Sequence, residues 1–213
     1  MNNRGGWCVV VRVKDRQWRQ IGAALVVAGV VATGCSSKPD SSPSDGAKAV
    51  VLDKKQVAAA LPGVDAVPSG WTKAQAPQRD DAAHDAGRKA YGTVGYEAPD
   101  LDGTVSFSIS SFSGPAAATD HLAFSRTQYD SGVAPITVTG ADQAFSAHGC
   151  LVESLCSASI HAVVGATVVS VDIDVDTQDY RSPDPQILEA VARIQVERVR
   201  QIQQGEAPTA KAS

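Results

Sequence analysis

Three aspartates at alternate positions, Asp172, Asp174 and Asp176, come nearest in this sequence to the spacing of a metal site. On a β-strand, alternate side chains share one face and lie about 6.8 Å apart. A calcium loop of the EF-hand type would require Gly and Glu where Thr177 and Pro183 stand. We therefore interpret the three carboxylates as the solvent face of a strand near the edge of a sheet, where charge discourages aggregation. We predict no metal.

The histidines belong to no catalytic pattern that we can identify. None lies in an H-E-x-x-H motif or beside a nucleophile elbow, and the sequence contains neither a P-loop nor a G-x-G-x-x-G turn after a strand. A hydrolase would need a serine within reach of a histidine. Folding could bring Ser106 or Ser108 to His148 or His161, but the sequence gives no reason to expect it. We predict no catalytic residue and no cofactor; the other two histidines are His84 and His121.

The first 34 residues differ in kind from the rest of the chain. Five basic residues and one acidic residue lie before Gln20, and the apolar run 21–33 carries no charge. This is the layout of a secretion signal, and the run is shorter than the roughly 20 residues that span a bilayer. The run ends in Ala32-Thr33-Gly34-Cys35. This ending resembles the bacterial lipobox, although Ala32 stands where Leu is commonest.

The lipobox resemblance implies that residues 1–34 are removed and that Cys35 carries the lipid. The alternative is an uncleaved N-terminal anchor that happens to contain a cysteine. We predict a lipid-anchored protein on the extracytoplasmic face of the cell membrane.

Charge and export restrict the partners of the exported chain. Without the five basic and one acidic residues of the signal, the chain's 19 basic and 23 acidic residues leave a net charge of −8. Such a chain will not hold nucleic acid by neutralising phosphates. It would also be repelled by anionic headgroups, so we expect the lipid to be its attachment to the membrane.

Cys150 and Cys156 are the two cysteines left after Cys8 is removed and Cys35 is lipidated. In an oxidising compartment, two remaining cysteines most often pair. A redox pair usually has the tighter C-x-x-C spacing, and a zinc site would need a second pair of ligands. We predict a structural disulfide between Cys150 and Cys156.

Composition divides the exported chain into a tether, one domain and a tail. Residues 35–49 comprise the lipidated cysteine and a Ser/Pro/Asp-rich tether, which cannot bury a core and should be disordered. Residues 50–202 should form one domain. Residues 203–213 are polar and Ala-rich, and we predict a disordered tail.

The domain pattern favours an α+β fold, in which a mostly antiparallel sheet packs against two or three helices. Asp53 and Gln56 are spaced as a capping box before a helix. Residues 104–110 alternate between apolar residues and serine, which predicts a strand with one buried face. A hairpin should turn at Gly165. The predicted helices start near Lys54, Ser113 and Asp184, and the predicted strands are 89–97, 104–110, 136–139, 143–148, 157–164 and 167–175.

The order of these features is similar to that of a known family. The chain has, in this order, a lipobox, a predicted disordered tether, a short helix, the turn Pro68-Ser-Gly-Trp71, a later helix beginning Ala116-Ala-Ala, a cysteine-containing hairpin and a closing amphipathic helix. Together they resemble the PknH-like extracellular sensor domains of actinobacteria, which also occur as free-standing lipoproteins. The resemblance covers about residues 50–202. It implies a ligand-binding or sensing role in the cell envelope. The kinase sensor domains have two disulfides, whereas this chain can form one.

The sequence therefore leaves two functions open. The first is a membrane-anchored binding or sensor-like module for an envelope ligand or protein partner, with a groove between the sheet and one helix. The alternative is a structural or accessory envelope lipoprotein without a small-molecule ligand. A concave pocket of several hundred Å³ favours the first, and a filled, convex surface the second.

Overall fold

Three helices and seven strands make up the regular structure of the described chain in the computed structural model. The structure describes residues 49–74, 87–99, 101, 103–129, 132–152, 155–176 and 184–212. The predicted signal, Cys35 and residues 36–48 of the tether lie outside these ranges. The elements are α1 (Lys54–Ala60), β1 (Thr72–Ala74), β2 (Arg88–Ala98), β3 (Gly103–Phe112), α2 (Pro115–Arg126), β4 (Val133–Ile136), β5 (Gln143–Val152), β6 (Leu155–Val164), β7 (Thr167–Asp176) and α3 (Pro185–Gln203).

The seven strands form one sheet in the order β1-β2-β3-β7-β6-β5-β4. Every neighbouring pair is antiparallel. The α+β fold with a mostly antiparallel sheet is therefore confirmed. One detail was wrong: β7, which carries Asp172 and Asp174, is the central strand and not an edge-proximal one. The predicted strand 136–139 was also misplaced, because β4 runs from Val133 to Ile136 and so ends where the predicted strand begins.

One face of the sheet carries the main core. Val105, Phe107 and Ile109 on β3 are fully buried, as their alternation with serine predicts. Their partners in register on β7 are also apolar, and α1 and α3 lie over this face. Burying each such side chain contributes about 1.5–3 kcal/mol. We call this the core face.

Helix α1 begins at the predicted capping box. The Gln56 amide donates to Asp53 Oδ1 at 2.8 Å, and the Asp53 amide donates back to Gln56 Oε1 at 2.9 Å. The helix lies close to β2, since a Cβ atom added at Gly92 would come within 2.9 Å of the Val57 side chain. Gly92 therefore permits the close approach of α1 to the sheet.

Helix α2 lies on the opposite face. Its N-cap is Gly114, one residue after the start predicted near Ser113, and no side chain caps the helix. Ala118 and Leu122 are the buried residues of this helix and face the sheet. They form a second, smaller apolar cluster that covers one end of this face; the other buried members of the cluster are Phe112, Phe145, Ala147, Val163 and Val168.

Helix α3 begins as predicted, with Asp184 accepting a hydrogen bond from the Gln186 amide at 2.8 Å. Its buried face is not purely apolar, because Gln195 and Arg198 are buried among its aliphatic side chains. No helix in the described part of the chain is long and apolar enough to cross a membrane.

The residues after α3 differ from the predicted disordered tail. The Arg198 guanidinium donates to the carbonyls of Pro208 and Ala210 at 2.8 and 3.2 Å. The Thr209 amide donates to Gln201 Oε1, and the Ala212 amide donates to the Ala66 carbonyl at 2.9 Å. Residues 206–212 thus form an ordered segment, which we call the strap. The polar composition of these residues did not predict it, because most of the acceptors in these contacts are main-chain carbonyls.

Candidate functional site

Polar side chains from four adjacent strands line the part of the second face that α2 leaves uncovered. We call this the polar face. It results from the alternation that buries aliphatic side chains on the core face, because alternate residues of a strand point to opposite sides. Serines, threonines and aspartates occupy most of its positions on β3, β7 and β6, and β2 contributes Tyr91, Thr93 and Gly95.

The first row of this face crosses five strands. From β2 to β5, the successive partners in register are Thr93, Ser108, Ser170, His161 and Phe145. The hydroxyls of Ser108 and Ser170 share a hydrogen bond of 2.9 Å. Thr93 Oγ1 donates to a carbonyl of the neighbouring strand at 3.0 Å. This row is held by internal hydrogen bonds.

The second row places a serine between a glycine and an aspartate. From β2 to β6, the successive partners in register are Gly95, Ser106, Asp172 and Ser159. Both Gly95 and Ser106 are buried at this point of the sheet. A third row follows with the same chemistry: Thr104, Asp174 and Ser157.

A cavity of about 310 Å³ lies over these rows. Hydroxyl and carboxylate groups dominate its lining. The lining residues are Tyr91, Thr93, Ser106, Ser108, Tyr129, Ser157, Ser159, Asp172 and Asp174. The described structure therefore has a concave polar site on the sheet, bordered by the residues that follow α2.

Tyr129 forms the wall of the cavity on the side of α2. It lies three residues beyond the helix, and its hydroxyl is 2.8 Å from His161 Nε2 and 3.0 Å from Ser159 Oγ. His161 is 4% exposed and stacks on Phe145 with ring centroids 4.8 Å apart. These contacts make His161 a hydrogen-bonded side chain at the margin of the second core, and they fix the position of the Tyr129 hydroxyl.

Ser106 differs from the other hydroxyls of the cavity. Its residue is 5% exposed, and its Oγ has no hydrogen-bond partner among the described residues. A buried hydroxyl without a partner costs about 1–3 kcal/mol. Such a group in a native fold is explained by an ordered water, a ligand or a functional constraint.

The serine–histidine pairs considered from the sequence are not assembled. Ser106 and Ser108 lie two strands away from His161, whose Nε2 is hydrogen-bonded to Tyr129. His148 is exposed and lies one position out of phase with Phe145 and Ala147, so it points to the opposite face of β5. His121 packs on Phe112 at 4.8 Å between ring centroids.

His84 lies outside the described residues, as does the side chain of Asp176. Within the described residues, no group of three or more His, Cys, Asp or Glu side chains is arranged to hold a metal ion.

The two predicted disulfide cysteines are brought together by the β5–β6 hairpin. Cys150 and Cys156 are direct partners in its register. Cys156 is disulfide-bonded and 1% exposed, and it packs within the core on the core face. The side chain of Cys150 lies outside the described residues, so its pairing with Cys156 stays a prediction.

A second cavity, of about 440 Å³, lies between α3 and the strap. Aliphatic side chains such as Ile187 and Ile194 line it, together with Arg193 and Glu197. The strap residues Ala210 to Ala212 form its other wall. The described chain therefore has an apolar groove in addition to the polar cavity.

The sequence carried a partial signal for the polar cavity. The alternation of Ser106, Ser108 and Ser110 with buried residues placed them on one face, and the same held for Ser170, Asp172 and Asp174. The missing information was that β3 and β7 are neighbours, since more than 50 residues separate each pair of partners, such as Ser106 and Asp172. Helical spacing places Tyr129 on the same face as Ala118 and Leu122, but no sequence pattern indicated the contacts of its hydroxyl with His161 and Ser159.

Comparisons with known proteins give no family for this chain. No family model matches it, and no curated protein matches it. Among solved structures, a protein from Bacteroides thetaiotaomicron VPI-5482 is similar over 60% of this chain, with 12% identity and a TM-score of 0.42. The chain spans 41% of that protein's length.

Proposed function

We propose that this protein is an exported lipoprotein, anchored through Cys35 to the extracytoplasmic face of the cell membrane, whose domain binds a small polar ligand. The observation that carries the proposal is the polar cavity, with the unpartnered hydroxyl of Ser106 on its lining. The size of the cavity, about 310 Å³, lies at the lower end of the range of small-molecule sites.

The position of the cavity supports a binding role. In an antiparallel sheet, the face opposite the core commonly carries polar side chains that contact solvent, but here Ser106, Ser108 and Ser170 are buried on that face. Helix α2 covers only one end of this side of the sheet, and the polar face beside it keeps hydroxyls and carboxylates on the central strands. Local departures from a good packing rule are expected at functional sites.

The proposed anchor has separate support in the sequence. A basic head, an uncharged apolar run and small residues directly before Cys35 occur together. The proposed location is also in keeping with the resemblance to PknH-like sensor domains, which implies envelope sensing or ligand binding. In this proposal the tether separates the domain from the membrane surface, where the cavity would meet solutes outside the cell.

The ligand can be sought without knowing its identity. The full chain, purified from the membranes of cells that express it, is incubated with a small-molecule extract of those cells and washed, and released compounds are identified by mass spectrometry. Ser157→Phe narrows the cavity at a half-buried lining position. Ser146→Phe is the matched control, because Ser146 is also half-buried on a strand but points to the opposite face.

We expect a compound that the wild type and Ser146→Phe retain and Ser157→Phe does not, with all three folded by circular dichroism. If no compound depends on Ser157 in this way, the ligand-binding proposal is wrong, and a structural or accessory lipoprotein without a small-molecule ligand becomes the better interpretation.

A further inference from the structure

We infer that the apolar groove beside α3 is a docking site for an extended segment of another protein, one that carries aliphatic side chains where the strap has Ala210 and Ala212. This groove is separate from the polar cavity of the proposed function and shares no lining residue with it. Three observations support the inference: main-chain recognition of the strap, the alternating exposure of its side chains and the apolar volume next to its alanines.

Helix α3 binds the strap by its main chain. Arg198 donates to the carbonyls of Pro208 and Ala210. Gln201 Oε1 accepts from the amides of Thr209 and Ala210 at 2.8 and 3.2 Å. Within the described residues, one hydrogen bond of the strap uses a side chain, that from Gln201 Nε2 to Thr209 Oγ1 at 3.3 Å. Because every residue has a carbonyl and every residue except proline has an amide proton, these contacts would also hold a segment of different sequence.

The side chains of the strap alternate between the domain and the solvent. Pro208, Ala210 and Ala212 are half-buried, whereas Thr209 and Lys211 are exposed. This is the alternation of an extended chain. Where a site binds an extended main chain, pockets for alternate side chains supply the specificity. The positions of Ala210 and Ala212 are therefore the ones at which this site would distinguish one segment from another.

The two alanines of the strap leave an apolar volume open. They lie on one wall of the groove, whose volume is about 440 Å³, and Ile187, Val191 and Ile194 lie on the wall formed by α3. This volume and this lining are typical of a binding pocket. Leucine or isoleucine in place of alanine would extend aliphatic carbon into the groove, and each methylene group buried there tightens binding about fourfold.

The charges of the groove favour uncharged side chains. Arg193 lines the groove at an exposed position, and Glu197 pairs with Arg200 at 3.3 Å. Lys211 belongs to the strap and would leave with it. The lining that remains carries one basic and one acidic side chain, so neither sign of charge is selected.

A second copy of this chain is a poorer occupant than another protein. Its strap would bring the same alanines, so an exchange of straps would repeat the existing contacts and fill no more of the groove. A segment with larger aliphatic residues makes the same main-chain hydrogen bonds and buries more apolar surface. Such a segment can displace the strap, which forms the movable wall of the site.

The first test places a larger side chain on the strap itself. In the full chain, Ala210→Leu should raise the melting temperature by about 2–4 °C, because the leucine fills the groove. Ala207→Leu is the matched control and should not raise it, since Ala207 is exposed and lies outside the lining. Ala190→Phe fills the groove from α3 and should cancel the gain of Ala210→Leu. Glu189→Phe, at an exposed position outside the lining, should leave that gain intact.

The second test supplies the segment as a separate peptide. Thr209→Pro with Ala212→Pro removes two strap amides that donate to Gln201 and Ala66, so this full-chain variant holds its strap weakly while α3 is unchanged. The variant, in phospholipid nanodiscs free of detergent, is titrated into a fluorescent peptide of residues 206–212 that carries Ala210→Leu and Ala212→Leu, and binding is followed by anisotropy.

We expect this peptide to bind at least tenfold more tightly than the peptide of unchanged sequence. N-methylation of its amide at the position of Thr209 should weaken binding about five- to tenfold, because the hydrogen bond to Gln201 is lost. The wild-type protein should bind the leucine peptide more weakly than the proline variant does, since its own strap competes.

The docking site is overturned by any of three results. If Ala210→Leu melts no higher than Ala207→Leu, or keeps its gain beside Ala190→Phe, the groove does not accept an aliphatic side chain from the strap. If the leucine peptide binds no more tightly than the peptide of unchanged sequence, the alanine positions do not select a segment. If N-methylation has no effect, the main chain is not recognised and the groove would bind any aliphatic ligand. None of these results bears on the polar cavity, which the Ser157→Phe experiment tests separately.

Discussion

Buried polar side chains fall into two groups according to whether the structure supplies a partner. Tyr96 donates to the Pro62 carbonyl at 2.7 Å, and Arg198 donates to five carbonyl oxygens. Gln195 and Thr167 are fully buried with side-chain polar atoms that have no partner among the described residues. The first group ties segments together, while the second lowers stability unless it serves another purpose.

Gln195→Met should stabilise the protein. Both carboxamide atoms of Gln195 are buried without a hydrogen-bond partner among the described residues, and the core around α3 is largely aliphatic. Methionine has a similar shape and no such polar groups, so the free energy of unfolding should rise by about 1–2 kcal/mol in urea titrations. Gln201→Met is the control and should lower it, because Gln201 hydrogen-bonds the strap. A destabilised Gln195→Met would indicate a polar partner for Gln195.

Tyr96 predicts a loss of stability at alkaline pH. Burial raises the pKa of Tyr96, Arg198 partly opposes this rise, and Asp65 adds to it. The folded protein holds the phenol proton more tightly than the unfolded chain, and this difference adds to the free energy of unfolding. The added stability is complete below the ordinary pKa of about 10. It is lost as pH rises through the raised value in the folded protein. Between about pH 9 and 12, the urea midpoint of the wild type should fall more than that of Tyr96→Phe. Equal declines would contradict the assignment.

At the scale of elements, a single arginine joins three segments. Arg198 on α3 donates to the carbonyls of Ala59, Ala60 and Leu61 at the end of α1, and to two carbonyls of the strap. The last carbonyls of a helix lack partners within the helix. Burial lowers the pKa of Arg198, with Asp65 and Tyr96 opposing the shift. The short helix α1 is therefore held by a side chain that lies more than 130 residues away in sequence.

Arg198→Met should be strongly destabilising. It removes five hydrogen bonds and leaves buried carbonyls at the end of α1 without partners, so we expect a loss of about 3 kcal/mol or more in unfolding free energy. Arg200→Met is the control on the same helix. Arg200 pairs with Glu197 at 3.3 Å with both side chains about two-fifths exposed, and the change should be about 0.5 kcal/mol or less. Similar losses in the two variants would mean that Arg198 does not hold α1 and the strap.

The hairpin of β5 and β6 carries the predicted disulfide. Cys150→Ala with Cys156→Ala should leave the protein folded, because the cores on both faces of the sheet do not depend on so short a loop. The free energy of unfolding should fall by about 2 kcal/mol. Non-reducing mass spectrometry of the exported wild type should show a mass lower by two hydrogens than that of the reduced protein. Two free thiols in the exported protein would contradict the pairing.

At the scale of the whole molecule, the proposed lipid on Cys35 would determine the compartment in which the cavity binds its ligand. The exported chain would carry a net charge of −8, which does not favour an anionic membrane surface. In the proposed arrangement, one lipid-modified cysteine would hold the domain at the membrane.

Cys35→Ala should abolish membrane attachment. We expect the wild type to fractionate with membranes and to show the mass of a chain that begins at a diacylglycerol-modified Cys35, and the variant to lack this modification. Globomycin, an inhibitor of the lipoprotein signal peptidase, should cause the lipidated precursor to accumulate. A mature wild-type protein that keeps residues 1–34 without added lipid would overturn the anchor and the proposed location.

The sequence alone determined features that depend on near neighbours. Four such features were predicted and confirmed: the capping box of Asp53 and Gln56, the start of α3 at Asp184, the turn at Gly165 and the buried alternation of β3. Each of these is set by residues a few positions apart, through side-chain hydrogen bonds, a positive φ at glycine or the period of a strand.

Only the tertiary structure decided which strands are neighbours and what the polar face becomes. Ser106 and Asp172 meet because β3 pairs with β7, and this pairing depends on burial of the aliphatic side chains that point to the other side of both strands. The partners of Arg198 were likewise hidden, because main-chain carbonyls have no signature in sequence. The polar cavity and the ordered strap therefore follow from long-range packing that no local pattern specifies.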